Sequence, residues 1–158
     1  MYALLDEQSN ASFIKEGTLN ELGVKGPTVS LDVHTINGRQ MTDSIKVQGL
    51  RMKGYKEGME IPIPSAYSTK DIAAGRNQIP RPETAPNWPH LSVIADKLME
   101  YNPDVDIGLL IGLDCMAALK AQDQILDDFD DHPFARRTKV GWGIIGGAPT
   151  FPENTVGV

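Results

Sequence analysis

The sequence predicts a mainly β protein with two or three short helices, and three features carry that prediction. Val29, Leu31 and Val33 alternate with Ser30, Asp32 and His34, the period of a half-buried strand. Asn37-Gly38 follows, the dipeptide that best supports a tight hairpin turn because both residues tolerate positive φ. Ile107 to Leu113 is a continuous apolar run with two glycines, as expected of a strand buried on both faces.

Taken in order, the chain opens on an apolar run, Tyr2 to Leu5, that delivers the Asp6 carboxylate to a short polar turn before Phe13 and Ile14 lead away. Asp6 is then either positioned for chemistry or accepts hydrogen bonds from the turn backbone, as Asp commonly does. Thr18-Leu19-Asn20-Glu21 reads as a capping box opening a short helix that stops at Gly23, and Gly26-Pro27 turns the chain. On the return strand Ile45 and Val47 share one phase and Leu50 and Met52 the other, so Gly49 marks a bulge. Lys53 to Gly58 is a second turn. Met59, Ile61 and Ile63 alternate after it, with Pro62 and Pro64 assigning that strand to an edge.

From Ser65 to Pro89 the chain is polar and proline-rich, which predicts an extended surface connection. Leu91, Ile94, Ala95 and Leu98 recur at helical spacing, predicting a short amphipathic helix over Leu91 to Met99 with Trp88 and His90 anchoring its start. Asp114 precedes Cys115 to Lys120 and suits a helix N-cap. Asp127 to Asp131 lacks the alternating ligands and glycine of a calcium loop, so it reads as a solvated loop whose charge Arg136, Arg137 and Lys139 offset. Val140 to Gly147 reads as a final strand, and the tail from Ala148 has little pattern.

The chain of 158 residues is one domain, and 41% hydrophobic with 23% charged residues fits a soluble globular protein. A net charge of -6 and a pI near 5.0 argue against direct nucleic-acid binding. Cys115 is the single cysteine, His34, His90 and His132 lie far apart and unconnected, and no Cys/His grouping has metal-ligand spacing. No metal and no cofactor is therefore expected, and an intracellular, cytoplasmic setting is the default. No apolar run approaches membrane-spanning length, and the Tyr2 to Leu5 run is cut by Asp6 too early for a signal peptide.

Four short motifs recur in a telling order: Leu-Leu-Asp-x-x-Ser at Leu4 to Ser9, Trp-Pro-His-Leu at Trp88 to Leu91, Ile-Gly-x-Asp at Ile111 to Asp114, and Thr-x-x-Gly-Trp-x-Ile-x-Gly at Thr138 to Gly146. The ordered set resembles the retropepsin-like aspartic peptidase domain of BEL/Pao-type LTR retrotransposon polyproteins. The resemblance implies a closed acid-protease (retropepsin-like) barrel with a flap hairpin over residues 1–147, lacking the strand that in the family precedes the Asp-bearing one, and a tail or linker over 148–158. It implies Asp6 as the catalytic residue, Ser9 as the hydroxyl that orients it, Gly112 as the point where a neighbouring strand comes close to the Asp6 turn, and Asp114 nearby, better suited to a structural than a catalytic role. Ile36, Asn37 and Gly38 are the flap candidates.

Aspartate-driven peptide hydrolysis needs two carboxylates about a hydrogen bond apart, one charged and one protonated, with a water between them. The sequence holds one such turn, so the resemblance implies a homodimer that pairs Asp6 across a two-fold axis and cleaves its own polyprotein, in the cytoplasm or within virus-like particles. Glu7 and Gln8 depart from the family, which has Thr or Ser and then Gly there. Two Glu7 carboxylates beside two Asp6 carboxylates repel unless Glu7 is protonated or turned outward. Three readings stay open: an active aspartic endopeptidase, a catalytically inactive dimerisation or peptide-binding domain of the same fold, and an unrelated β-rich binding domain.

Overall fold

Alternation along the sequence becomes eleven strands in the computed structural model, which describes residues 1–146. They are β1 (Tyr2–Leu5), β2 (Phe13–Lys15), β3 (Thr28–Thr35), β4 (Gly38–Val47), β5 (Arg51–Lys53), β6 (Glu60–Pro62), β7 (Ala66–Thr69), β8 (Ile107–Ile111), β9 (Asp123–Ile125), β10 (Phe134–Thr138) and β11 (Gly141–Ile145). Two short α-helices, α1 (Glu16–Leu22) and α2 (Met116–Leu119), and several 3-10 segments connect them. The mainly β expectation holds. Gly147 and the 148–158 tail lie outside the described residues.

The strands form a six-stranded mixed sheet in the order β1-β8-β2-β7-β4-β3, a three-stranded sheet β11-β10-β9, and the pair β5-β6. No closed barrel forms among the described residues, because β1 and β3 end the large sheet unpaired and β11 ends the second. β8 sits between β1, its parallel neighbour, and β2, its antiparallel one. Consecutive strands joined by the Asp6 turn thus flank a strand about a hundred residues away. Ile107, Gly108, Leu109 and Ile111 are buried, as the unbroken apolar run predicts. Ile14, Val47, Ile61, Ile63, Leu109 and Ile111 pack into the main core, and Leu91, Ile94 and Leu98 with Ala135 make a second.

Several local expectations are corrected. β3 and β4 do form a hairpin, but its loop residues are Ile36 and Asn37. Gly38, already paired with Thr35, is the residue that takes φ +124°. Gly49, at φ +80°, ends β4 rather than bulging it, and Leu50 and Met52 leave for the β5-β6 pair, where Pro62 is tolerated because both strands are edges. α1 begins two residues before Thr18, which is buried within it, so no capping box forms; Gly23 does close the helix in the left-handed region. The 65–89 stretch is not all connection, since β7 is a central strand of the large sheet. Its polar Ser68 is buried because its hydroxyl accepts the Ile45 N–H at 2.8 Å and its carbonyl accepts the Ser44 hydroxyl at 2.9 Å. Leu91 and Ile94 are buried on one face of a 3-10 segment, Pro89–Lys97, in place of an α-helix, and a three-residue repeat sets that spacing.

Candidate active site

The Asp6 turn is bound to the far end of β8 by main-chain contacts on both sides. The Asp6 N–H donates to the Ile111 carbonyl at 2.9 Å and the Leu113 N–H donates to the Ser9 carbonyl at 2.8 Å. Gly112 lies between them. A Cβ there would stand 2.4 Å from the Ala11 carbonyl oxygen and 2.8 Å from that of Ser9, so only glycine lets strand and turn meet this closely. The close approach expected at Gly112 is present.

Asp6 itself is half-buried, and its Oδ1 accepts the Gln8 N–H at 2.8 Å. That is the Asx-type turn weighed as the alternative to catalysis. Its Oδ2 has no hydrogen-bond partner among the described residues. Ser9 does not reach Asp6, because its hydroxyl donates to the Ala11 carbonyl at 2.7 Å. The hydroxyl expected to orient the carboxylate instead closes the turn. Gln8 is exposed.

Glu7 is ion-paired: its Oε1 accepts from Arg136 Nη1 of β10 at 2.7 Å. Arg137 pairs with Glu57 at 3.3 Å, so neither arginine serves the acidic loop as the sequence suggested. Glu7 and Arg136 thereby connect the Asp6 turn to the three-stranded sheet.

Asp114 is not an N-cap. Cys115 occupies that position before α2, with no side-chain cap, and the Asp114 carboxylate points across the chain. Its Oδ1 accepts the Ser12 hydroxyl at 2.6 Å and its Oδ2 the Ser12 N–H at 3.1 Å, while the same hydroxyl accepts the Gly112 N–H at 3.1 Å. Ser12 is fully buried. It went unread in the sequence because its partner lies 102 residues away. Only the recurrence of small hydroxyl residues at Ser9 and Ser12 hinted at it.

Ile36, Asn37 and Gly38 form the exposed tip of the β3-β4 hairpin, and no hydrogen bond or ion pair among the described residues ties that tip to the Asp6 turn. The histidines are not all unconnected. His132 Nδ1 and His90 Nδ1 approach Asp127 Oδ2 at 2.5 and 3.4 Å, and His90 Nε2 meets the Pro133 carbonyl at 2.7 Å. Burial pushes the Asp127 carboxyl up, but the hydrogen bond from His132, with that of the Phe129 N–H, brings it below its ordinary value. His34 lies apart, beside Asp32 at 3.2 Å. The Trp88 ring packs against that of His132, tilted by 58° at a centroid distance of 4.7 Å, so Trp88 and His90 do anchor the 3-10 segment, against the loop before β10. Among the described residues no group of three or more His, Cys, Asp or Glu side chains is arranged to hold a metal ion, and no helix is long and apolar enough to cross a membrane.

No protein-family model, curated protein or solved structure matches this chain.

Proposed function

We propose that the chain is one half of an aspartic endopeptidase that processes a polyprotein of the BEL/Pao-type retrotransposon kind, with Asp6 as the catalytic carboxylate. The observation that supports this reading most is the junction of the Asp6 turn with β8: two strands joined by an Asp-bearing turn flank a buried strand ending in Ile-Gly-x-Asp, locked through Gly112 and the Ser12–Asp114 pair. Such a junction holds one carboxylate rigidly at the end of a sheet, with Oδ2 left for a second partner. One turn supplies one acid, so the reaction requires a two-fold dimer in which the two Asp6 side chains share a proton across a water. The charged acid takes a proton from that water as it attacks the scissile carbonyl. The protonated acid donates to the carbonyl oxygen and then to the departing amine. The Glu7–Arg136 ion pair lessens the repulsion that Glu7 would otherwise bring to the dyad. Closure into a full barrel belongs to the same proposal.

A second reading, an inactive dimerisation or peptide-binding domain of the same descent, is favoured by the engagement of Asp6 Oδ1 with Gln8 and of Ser9 with Ala11. One experiment separates the two. Sedimentation velocity is run alongside cleavage of a fluorogenic peptide library with and without pepstatin, for the native chain and Asp6→Asn. The peptidase reading expects pepstatin-sensitive cleavage confined to the dimer and a loss of at least about a thousandfold in Asp6→Asn. Cleavage by a monomer, or cleavage that survives Asp6→Asn, overturns it. A dimer without cleavage establishes the second reading.

A further inference from the structure

Two imidazoles and one carboxylate meet where the loop before β10 lies on the 3-10 segment Pro89–Lys97, and none of the three takes part in the chemistry proposed for Asp6. His90 comes from the segment, Asp127 and His132 from the loop. The surroundings of His90 fix what its ring must carry. Nε2 stands 2.7 Å from the Pro133 carbonyl oxygen, which can only accept, so Nε2 bears a proton. A neutral imidazole has one N–H, which leaves Nδ1 as a bare lone pair 3.4 Å from Asp127 Oδ2, an acceptor facing an acceptor. With a second proton that nitrogen becomes a donor and the ring a cation beside the carboxylate. His132 makes no such demand, because its Nδ1, 2.5 Å from the same Oδ2, is its one ring nitrogen with a hydrogen-bond partner among the described residues, and a neutral tautomer serves it. With side chains 12% and 20% exposed, His90 and Asp127 are largely shielded from water, where a mismatched pair costs more than at the surface.

Asp127 also organises the loop. Its Oδ1 accepts the Phe129 N–H at 3.1 Å, the His132 N–H donates to the Phe129 carbonyl at 3.3 Å, and the Phe129 ring lies 4.6 Å from that of His132. The other charges on the packed elements are engaged elsewhere or face water. Asp128, Asp130 and Asp131 of the loop and Asp96 of the segment are exposed, Lys97 lies over the Trp142 ring, and Arg136 and Arg137 of β10 pair with Glu7 and Glu57.

We propose that His90 and Asp127 form a proton-operated latch: the doubly protonated ring draws the 127–133 loop onto the 3-10 segment, and loss of the Nδ1 proton releases it. A closed loop favours the proton, so by linkage the proton favours closure. The latch is shut below about pH 6.5, where a free imidazole holds its second proton, and is lost as pH rises through the value of the closed form. Its working does not depend on hydrolysis at Asp6.

The test follows the native chain, His90→Gln and Asp127→Asn by nuclear magnetic resonance between pH 5.5 and 8.5, a window clear of ordinary carboxylates and lysines. After correction for intrinsic rates, the Phe129 and His132 amides of the native chain should be protected at least about tenfold more at the acid end than at the alkaline end. His90→Gln, whose side chain does not titrate, should remove that difference, and the core amides of Ile45 and Val47 should show none. The ring nitrogens of His90 should hold both protons to a higher pH in the native chain than in Asp127→Asn. Equal loop protection at the two ends, a difference that survives His90→Gln, or a parallel change at Ile45 and Val47 overturns the proposal. So does a His90 titration that Asp127→Asn leaves in place.

Discussion

Gly112 is the residue on which the Asp6 junction turns, since it is where the end of β8 passes within van der Waals range of the backbone of another loop. Gly112→Ala forces a methyl carbon against two carbonyl oxygens that belong to the Asp6 turn itself; moving that of Ser9 disturbs its bond from the Leu113 N–H, and moving that of Ala11 disturbs its bond from the Ser9 hydroxyl. It is expected to cost roughly 1–3 kcal/mol in urea unfolding, the scale of other overpacked interior sites. A loss within about 0.5 kcal/mol would mean that the turn is not held as described. The glycine was legible because a small residue inside an apolar run signals close backbone approach. Ser12 was not, because nothing near position 12 announces a carboxylate at position 114.

At the scale of elements, the β3-β4 hairpin divides into two parts. Val29, Leu31 and Val33 are half-buried on alternate positions, but β4 is exposed from Gly38 to Asp43 and enters the core only at Ser44 and Val47. The outer half is held by its ladder and by surface pairs such as Arg39 with Asp32, and exposed pairs contribute little. Amides of Val33 to Met41 are therefore expected to exchange through local opening, at least about a hundredfold faster than those of Ile45 and Val47. Uniform protection along the hairpin would show that something covers its tip. The alternation of β3 was readable from the sequence because one face is buried. β7 was not, since Ala66-Tyr67-Ser68-Thr69 has strand character only once Ser44 and Ile45 satisfy Ser68.

For the whole molecule, the pH dependence of stability follows from a charged cluster between β2 and the approach to β8. Lys15 stands 2.8 Å from Asp106 and 3.1 Å from Asp71, and its hydrogen bonds hold both carboxyls below the usual carboxylate range. Arg39 does the same for Asp32. A depressed carboxylate contributes above its unfolded pKa, about 3.9, and that contribution drains as pH falls through the folded value. Asp106, followed by Asp71, raises the Lys15 ammonium, so its share persists below about 10.4 and is lost as pH climbs through the folded value. The urea midpoint should fall at both extremes, and Lys15→Met should flatten both limbs. Identical pH profiles for the two proteins would remove this cluster from the account. The net charge of -6 was plain from composition, but which acids meet Lys15 was not.

What the sequence by itself determined is whatever depends on residues a few positions apart: the half-buried period of β3, the hairpin after it, the buried β8, the glycine that closes α1. Each is set by the geometry of one stretch of chain and by which side chains avoid water. Tertiary structure alone decided that β8 enters between β1 and β2, that Ser12 binds Asp114, and that Glu7 pairs with Arg136. Those pairings link positions about a hundred residues apart, where no period or propensity reaches. They are fixed only when the collapsed chain must find a partner for every buried polar group.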